Sequence, residues 1–552
     1  MTEAPDVPPR TPVRRLADHG PFLAILGSAM LLRLLLAYVA FPGQGYASDL
    51  NEFGSWASVL ADHGPGSFYQ LSGANYPPGY MYVLWLLGAL GAPLGSLLGV
   101  SSSQATLALL KLPPMLADAA IGVLLYRAGS SWFGRTAGLV AAALFLFLPI
   151  SWYDSALWGQ VDAVGSLLML AALLALSDGW SEPAMALAVL GVLVKPQDAI
   201  CLVVVVPVLV RRHLLRVGSG PQPSLGPRLT SLNRRLRGAL NHQGPLRLIS
   251  TFVVGAAVAI VPLLPFDIER FAATDLQGNL LVGHVAGLAG LFGSVANQYA
   301  VLTANAYNAW SLVGPTPLTS IAGSGSGTWT LDSMSVLWGI PAAQLGAALL
   351  VVVGLTVAVG LLLRDDRLTV LLAFAVVAFA FYAVPTRVHE RYLFALFPVG
   401  ALLACRYGAG VLAYAIASLL NLVNLHAILG TPGVVGGPPG GFGGQGGATL
   451  GGGATAGPPS AFGGGPGLGT VPAGSGSAGL GGHGGVSGPA TWIDLPFADL
   501  AKSEPVIVAV AIGQTVAFVA LLVAWIAVAY GPLLRRLLKR RSAQPQPIAA
   551  PD

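Results

Sequence analysis

Acidic side chains that could accept a proton occur in two short motifs of the sequence. Ser48–Glu52 places Asp49 and Glu52 three residues apart, on one face if a helix begins here. Trp158–Asp162 ends on a third carboxylate, Asp162. A carboxylate within hydrogen-bond reach of an attacking hydroxyl can act as a general base, so these three residues are candidate catalytic groups. In the alternative interpretation Asp49 caps the helix and Glu52 bonds back to the cap, which is compatible with catalysis.

Cations that could bind a phosphate cluster between Pro385 and Tyr392, where Arg387 and Arg391 flank His389. A guanidinium group can bind a phosphate through two parallel hydrogen bonds, so this cluster predicts an anion site. The alternative interpretation is a solvated, charged turn without a function.

Two lysines interrupt apolar segments: Lys195, followed by Pro196 and Gln197, and Lys111. A lysine in such a segment is costly unless it meets water, a carboxylate or a phosphate. Both lysines are therefore candidates for the phosphate site. The alternative is an ion pair, which Lys195 could form with Asp198 and Lys111 with Asp118.

Side chains suited to sugar binding accompany these charges. An indole ring offers a face for stacking, and amides and hydroxyls offer hydrogen bonds. The candidates for sugar or acceptor binding are Trp158, Gln160, Tyr76, Asn297, Asn305 and Asn308. In the alternative interpretation Tyr76 is a membrane-interface anchor beside a stiff turn, and the Trp158 motif simply starts a helix. No spacing matches a zinc site or a phosphate-binding P-loop.

The elements that position these residues are predicted to be membrane helices. Of the 552 residues, 54% are hydrophobic and only 9% are charged, whereas soluble proteins carry ~25% charged residues. This composition excludes a soluble protein and predicts an all-α, multi-pass protein of the cell (plasma) membrane. Membrane lipids are then partners, and nucleic acid is not expected. Cys201 and Cys405 lie in apolar segments and indicate no disulfide framework.

About twelve membrane spans are predicted, with both termini in the cytoplasm, because Lys and Arg accumulate on that side. Arg33 lies within the first span. Residues 76–99 contain Pro77, Pro78 and Pro93, and proline breaks helices, so this region is placed in the first outer loop as an interfacial or re-entrant helix pair. The predicted spans are about 21–41, 104–127, 134–150, 159–177, 184–194, 197–210, 247–265, 336–363, 368–385, 392–404, 409–429 and 505–530.

The domain organisation follows from these spans and from one segment of unusual composition. Residues 430–490 are rich in glycine and contain no Asp, Glu, Lys or Arg, so they cannot bury enough apolar surface to offset the entropy of ordering. The predicted parts are a cytoplasmic tail (1–20), a transmembrane catalytic domain (21–429), a flexible outer loop (430–504), a last helix (505–530) and a basic cytoplasmic tail (531–552).

Several motifs in a fixed order resemble one known family. They are Asp-x-Asn-x-Phe-x-x-Trp-Ala from Asp49, Tyr-Pro-Pro-Gly-Tyr from Tyr76, Trp-Gly-Gln-x-Asp from Trp158, Lys-Pro-Gln from Lys195, Asn-Ala-Tyr-Asn-x-Trp from Asn305 and His-Glu-Arg-Tyr from His389. Over residues 25–425 this set resembles the GT-C integral-membrane glycosyltransferases, and within them the bacterial family similar to glycosylphosphatidylinositol mannosyltransferase II. The glycine-rich segment departs from the family pattern.

The resemblance implies a GT-C-like helical bundle with interfacial helices in the first outer loop. It also implies a polyprenyl-phosphate-linked sugar donor and an active site on the extracytoplasmic face. By this resemblance, Asp49 matches the catalytic carboxylate of the first loop. His389 matches a His-Glu-Lys/Arg motif that lies near the donor phosphate in related glucosyltransferases.

The predicted function is the inverting transfer of a hexose, mannose in the first place, to a hydroxyl of a glycan, lipid or protein acceptor. Asp49 would take the hydroxyl proton, and the cations would stabilise the leaving lipid phosphate. No cofactor is required, and a divalent metal on Asp49 and Asp162 stays open but is not favoured. The alternative is a transporter or flippase of a lipid-linked saccharide, which inverted repeats would favour; the sequence shows no corresponding pair of halves.

Overall fold

The chain folds into helices joined by short connections, in a computed structural model that describes residues 12–216, 244–313, 330–406, 408–430 and 488–542. Two pairs of very short strands accompany them: Gln44–Gly45 runs parallel to Thr491–Trp492, and Ser335–Leu337 runs antiparallel to Ile340–Pro341. The α-helices are Pro12–Leu35, Ala47–His63, Phe68–Ser72, Pro78–Leu98, Ser102–Leu110, Leu112–Phe133, Arg135–Leu146, Pro149–Trp152, Asp162–Ser177, Ser181–Val194, Leu202–Leu209, Pro245–Ile260, Leu280–Gln298, Ala342–Leu363, Arg367–Ala383, Leu396–Arg406, Gly408–Leu429, Ala498–Ala501 and Glu504–Ser542.

Within the described residues, 8 helices are long and apolar enough to cross a membrane: His19–Ala40, Pro78–Leu98, Ser102–Phe133, Pro245–Leu263, Leu280–Gln298, Ala342–Leu363, Gly410–Leu429 and Glu504–Leu533. A bent pair, Arg135–Leu146 with Pro149–Trp158, makes a ninth if its 49° bend lies within one span. Four apolar helices are shorter: Asp162–Ser177, Ser181–Val194, Arg367–Ala383 and Leu396–Arg406. The chain is an all-α polytopic membrane protein, as predicted.

The bundle has an inner helix, Arg367–Ala383, whose side chains are mostly buried. Its neighbour Ala342–Leu363 instead exposes a face that includes Val351, Val352 and Leu355. Such a face would be unfavourable in water but is matched by lipid tails. The apolar composition is therefore divided between a packed core and a surface that requires a membrane.

Residues 78–98 form one helix, so the predicted helix pair is wrong. Pro77 and Pro78 stand at the start of the helix, where the missing N–H group would have had no helical partner. Pro93 lies inside the helix and removes one hydrogen bond. Close packing compensates for that loss: a Cβ atom on Gly88 would lie 2.1 Å from the carbonyl oxygen of Ala57 on a neighbouring helix.

Two predicted regions in the second half of the chain differ in the structure. Between the predicted spans 247–265 and 336–363 lies an apolar helix that was not predicted, Leu280–Gln298, which Asn279 caps by accepting from the amide of Val282. The predicted span 336–363 begins only at Ala342, because residues 335–341 form a hairpin. Trp338 and Gly339 turn that hairpin with positive φ angles of 52° and 77°.

The predicted flexible loop 430–504 needs correction at its end. Residues 431–487 lie outside the described residues, as do 1–11 and 543–552 of the predicted tails. Residues 488–504 are structured: they contribute the strand Thr491–Trp492 and bury Ala490, Ile493 and Leu495. The last helix also continues beyond its predicted end at 530, to Ser542.

Candidate active site

Charged side chains from distant parts of the sequence line one cavity of about 340 Å³. Pockets for small ligands typically have ~300–1,000 Å³, so the cavity has the size of a ligand site. Asp49 and Glu52 supply carboxyl groups, and the basic side chains are those of Lys195, Arg387, His389 and Arg391. Much of the remaining wall is apolar or aromatic and includes Phe53, Tyr76, Phe292, Val295, Tyr299, Phe381 and Tyr392.

The helix Ala47–His63 carries the acidic residues of the cavity. Asp49, Glu52 and Phe53 all line it, as positions i, i+3 and i+4 of a helix must when they share one face. The N-cap of this helix is Tyr46, so Asp49 is not the capping residue of the alternative interpretation. The helix therefore directs both carboxylates toward the same space.

Asp49 is held by two donors from the predicted sugar-binding motif. Trp158 Nε1 and Gln160 Nε2 donate to Asp49 Oδ2 at 2.8 and 2.6 Å. Both residues are 1% exposed and lie behind the cavity wall, so their predicted role as direct sugar ligands is corrected to holding Asp49. A buried N–H group needs an acceptor, and Asp49 is the acceptor that the fold provides.

Lys195 reaches the cavity from the break between the helix Ser181–Val194 and the 3₁₀ turn Pro196–Cys201. Its Nζ lies 2.9 Å from Asp162 Oδ1 and 5.5 Å from the centre of the Tyr76 ring. The predicted alternative, a pair with Asp198, is replaced by this pair with Asp162. Asp162 also accepts from Gln197 Nε2 at 3.0 Å.

These contacts change the role predicted for Asp162. Its carboxylate is 4% exposed, faces Lys195 and Gln197, and lies 3.7 Å from Arg391 Nε. A carboxylate that neutralises two cations is poorly placed to accept a substrate proton. Asp162 is therefore corrected from catalytic base to a residue that holds Lys195 and Arg391 at the cavity.

The predicted anion cluster 385–392 lies at the cavity, and its two arginines have different partners. Arg387 pairs with Asp332 at 2.6 Å and also donates to Asn297 Oδ1 at 2.9 Å. Arg391 donates to Glu390 Oε1 at 2.8 Å and covers the Trp158 ring at 5.4 Å.

Arg391 stays charged although most of its side chain is buried. Burial alone would lower the pKa of Arg391, but the negative charges of Asp49, Glu390 and Asp162 outweigh it and raise the pKa well above its usual value. A permanently charged guanidinium at a cavity wall is suited to binding a phosphate.

Lys111, predicted for the phosphate site, lies elsewhere. It is 3% exposed, and its Nζ donates to the carbonyl oxygens of Gln44 at 2.6 Å, Ala156 at 2.8 Å and Leu157 at 3.2 Å. The alternative pair with Asp118 is also wrong, because Asp118 pairs with the wholly buried Arg33 at 2.9 Å. Lys111 therefore has a structural role: it joins the segment after the first helix, at Gln44, to residues 156 and 157.

Replacing Lys111 with methionine should lower thermal stability without weakening binding of the polyprenyl-phosphate donor that the sequence analysis predicts. The substitution keeps most of the apolar stem but leaves carbonyl groups without their donor, and each buried polar group left unpaired costs ~1–3 kcal/mol. The checks are the melting temperature in detergent and the KM for the donor. A large rise in KM with an unchanged melting temperature would instead return Lys111 to the phosphate site.

The three predicted asparagine ligands are structural. Asn308 is buried, donates to the carbonyl of Tyr382 at 2.8 Å and accepts from the Trp310 amide at 3.1 Å. Asn305 has a positive φ of 69°, and its carbonyl accepts from Asn424 at 2.8 Å. Asn297 Oδ1 accepts a hydrogen bond from Arg387 at 2.9 Å. None of the three lines the cavity, so the predicted direct contact with sugar is corrected for all three.

Several cavity residues were missed from the sequence. Tyr299 follows the unpredicted helix Leu280–Gln298, and Asn75 donates at 2.9 Å to Gln298, the neighbour of the predicted Asn297. Asp332, the partner of Arg387, follows a stretch that the structure does not describe. A signal for Asp332 did exist, because an arginine predicted at the membrane boundary requires a nearby carboxylate.

Metal ligands are scarce around the cavity. Among the described residues, no group of three or more His, Cys, Asp or Glu side chains could hold a metal ion. The predicted metal alternative requires Asp49 and Asp162 to share an ion, but Asp162 is turned toward Lys195 and Gln197.

The surroundings of Glu52 raise its proton affinity. Burial raises the pKa of Glu52 to about 8, the nearby charge of Asp49 adds to the rise, and Arg391 opposes it. Glu52 is therefore largely protonated at pH 7 and can donate a hydrogen bond into the cavity.

Because the pKa of Glu52 is raised from 4.5 to about 8 in the folded protein, its ionisation opposes folding. The contribution of protonated Glu52 to the free energy of unfolding is fully present below pH 4.5 and is lost as the pH rises toward 8. The melting temperature of the wild type should therefore fall relative to that of Glu52→Gln between pH 5 and 8, and the difference should be constant above pH 8. Parallel curves over the whole range would show that Glu52 titrates normally.

Comparisons with known proteins give only distant likenesses. No protein-family model and no curated protein matches the chain. One similar solved structure is ArnT from Cupriavidus metallidurans bound to undecaprenyl phosphate, with 14% identity, coverage of 75% of this chain and 71% of that chain, and a TM-score of 0.38.

A second is the archaeal oligosaccharyltransferase AglB from Archaeoglobus fulgidus, in complex with an inhibitory peptide and a dolichol-phosphate. Its identity is 12%, the coverage is 74% of this chain and 51% of that chain, and the TM-score is 0.37. These values are too low to assign the chain to the family of either protein, so its function has to be argued from the cavity.

Proposed function

We propose that the protein is a membrane glycosyltransferase that moves a hexose, mannose in the first place, from a polyprenyl-phosphate donor to an acceptor hydroxyl with inversion. The observation that carries the proposal is the cavity in which Asp49 faces the same space as Lys195, Arg387, His389 and Arg391. Glycosyl transfer from a lipid phosphate needs this combination, a proton acceptor together with a site for phosphate. The ordered motifs that resemble the GT-C glycosyltransferases agree with it.

The donor would bind through its phosphate to the cations. A polyprenyl-phosphate sugar is a phosphodiester with one negative charge, and the lipid phosphate that leaves carries up to two. Lys195 is buried at the cavity and Arg391 is 12% exposed there, and both have carboxylate partners that hold them in place. Charge that increases during the reaction is best stabilised by groups that need no rearrangement.

The acceptor would be activated by Asp49. The acceptor oxygen attacks the anomeric carbon from the face opposite the phosphate, and its proton passes to Asp49 as the bond to the phosphate oxygen breaks. Trp158 and Gln160 both bond to Asp49 Oδ2, which orients the carboxyl group with its other oxygen available for the acceptor. A protonated Glu52 beside it adds no negative charge that would repel the donor phosphate.

The lipid chain and the membrane face form part of the proposal. Phe292, Val295, Phe381 and Ile200 give the cavity an apolar wall suited to the first isoprene units of the lipid. The cavity is proposed to open on the extracytoplasmic face of the plasma membrane, and the acceptor is a glycan, a lipid or a protein.

The test uses purified protein in lipid nanodiscs with polyprenyl-phosphate-mannose or polyprenyl-phosphate-glucose, together with membrane extract as the source of acceptors. Formation of polyprenyl phosphate and loss of the donor should both occur, and the faster donor identifies the sugar. An unchanged donor with every extract would overturn the proposal. Movement of intact donor between leaflets, without cleavage, would support a flippase instead.

A further inference from the structure

Residues 488–493, here called the strap, cross the back of the helix that carries Asp49. The amides of Thr491 and Ile493 donate to the carbonyls of Gly43 and Gly45 at 3.1 and 3.3 Å. This makes a parallel pairing between the strap and the turn that precedes the helix Ala47–His63. The contact joins parts of the chain that are more than four hundred residues apart in sequence.

Asn51 ties the strap to the helix itself. The amide of Ala490 donates to Asn51 Oδ1 at 2.9 Å, and Asn51 Nδ2 donates to the carbonyl of Ala490 at 3.3 Å. Gly488 permits this approach, because a Cβ atom there would lie 2.3 Å from Asn51 Oδ1. Asn51 follows Asp49 by two residues, a rotation of about 200° around a helix, so the strap holds the face that is turned away from the cavity.

A second connection runs through aromatic rings. Trp492 packs its edge on Tyr46 with the ring centres 4.7 Å apart, and Tyr46 stacks on Trp158 at 4.5 Å. Trp158 donates to Asp49 Oδ2 at 2.8 Å. Three rings in contact therefore link the strap to the carboxylate, and Asn51 links the strap to the same helix independently.

We propose that the strap is a positioning element that sets the orientation of Asp49, and that Trp492 and Asn51 are its positioning residues. The proposal rests on the proposed function, because the orientation of Asp49 matters only if Asp49 takes part in the reaction. The strap contacts the base through Tyr46 and Trp158, and it contacts none of the proposed phosphate-binding cations directly; only Arg391 meets this chain of rings, where it covers the Trp158 ring at 5.4 Å. Loss of the strap should therefore impair the chemical step and spare donor binding.

The test compares Trp492→Ala with Trp492→Phe and Thr491→Ala. Alanine removes the ring that packs on Tyr46, phenylalanine restores an aromatic edge, and Thr491 is the matched control because its side chain is exposed on the same strand. A base displaced by about 1 Å can cost ~10²-fold. We expect kcat to fall about 10-fold to 100-fold in Trp492→Ala with the KM for polyprenyl-phosphate-mannose unchanged, to recover in Trp492→Phe, and to stay at the wild-type level in Thr491→Ala.

Hydrogen exchange of the peptide 46–58 supplies a readout that does not need activity. Its amides should exchange faster in Trp492→Ala and in Gly488→Ala than in the wild type or Thr491→Ala. An active wild type whose kcat is unaffected in Trp492→Ala, or exchange that is equal in all variants, would overturn the strap proposal. A wild type that cleaves no donor would instead reject the proposed function, and the exchange comparison would still decide whether the strap holds this helix.

Discussion

Replacing Asp49 with asparagine should lower the turnover of the lipid-linked donor by about 10²-fold to 10⁴-fold, the usual contribution of a general base. Asparagine keeps the shape of the side chain, and its amide oxygen can still accept from Trp158 and Gln160, which donate to Asp49 in the wild type. It cannot accept the proton of the acceptor hydroxyl. Because the phosphate-binding cations are unchanged, donor affinity should stay close to that of the wild type, and kcat and kcat/KM should fall together.

The control for this experiment is Asp62→Asn, the same substitution at an exposed position of the same helix. It should leave turnover unchanged, which shows that loss of one negative charge from the helix is harmless in itself. Donor binding is measured separately with labelled polyprenyl-phosphate-mannose. An Asp49→Asn protein with undiminished turnover would remove Asp49 from the mechanism, and Glu52 would become the next candidate base.

Charge in an apolar chain was the signal that made the cavity predictable. Asp49, Glu52, Lys195 and the cluster around His389 were chosen because ionisable groups are costly near the membrane, and the structure places all of them at one cavity. The same cost explains why they converge. Each buried charge needs partners of opposite sign, as Asp162 is for Lys195 and Asp332 for Arg387.

The direction in which a side chain points could not be predicted in the same way. Trp158, Gln160 and Lys111 have the residue types of ligands, but they use their donors on Asp49 and on backbone carbonyls. Which carbonyl or carboxylate lacks a partner is decided by the packing of several helices. The sequence shows which hydrogen-bond donors would be costly to leave unpaired, but it does not show which group accepts their hydrogen bonds.

The fold, too, was predictable from the sequence in some parts and not in others. Long apolar stretches such as 342–363 predicted membrane helices within a few residues, because hydropathy alone specifies them. Leu280–Gln298 was missed: it contains four glycines and a histidine, which weaken its hydropathy, and it is held by close glycine packing against the turn Ile268–Phe271. The helix-breaking tendency of proline was given too much weight at Pro93, because tertiary packing outweighs this local preference.

Replacing Arg391 with alanine should impair donor binding as well as turnover, unlike the change at Asp49. A phosphate is charged both before and during the reaction, so its cationic partner acts in both states. Removing one partner of a buried charged pair costs ~2–5 kcal/mol, which corresponds to about 30-fold to 5,000-fold in kcat/KM. Arg391→Lys should recover only part of this loss, because lysine keeps the charge but lacks the planar fork.

The alanine substitution also leaves Glu390 and Asp162 without a neighbouring guanidinium in the folded protein, so folding has to be separated from binding. Melting temperatures in nanodiscs without donor report on folding, and binding of labelled donor at a temperature well below the transition reports on the site. Arg364→Ala, at an exposed arginine paired with Asp366, controls for the loss of one positive charge and should change neither quantity appreciably. If Arg391→Ala is folded and binds donor as tightly as the wild type, the phosphate has to be bound by Lys195, Arg387 and His389, and Arg391 serves only to neutralise the carboxylates around it.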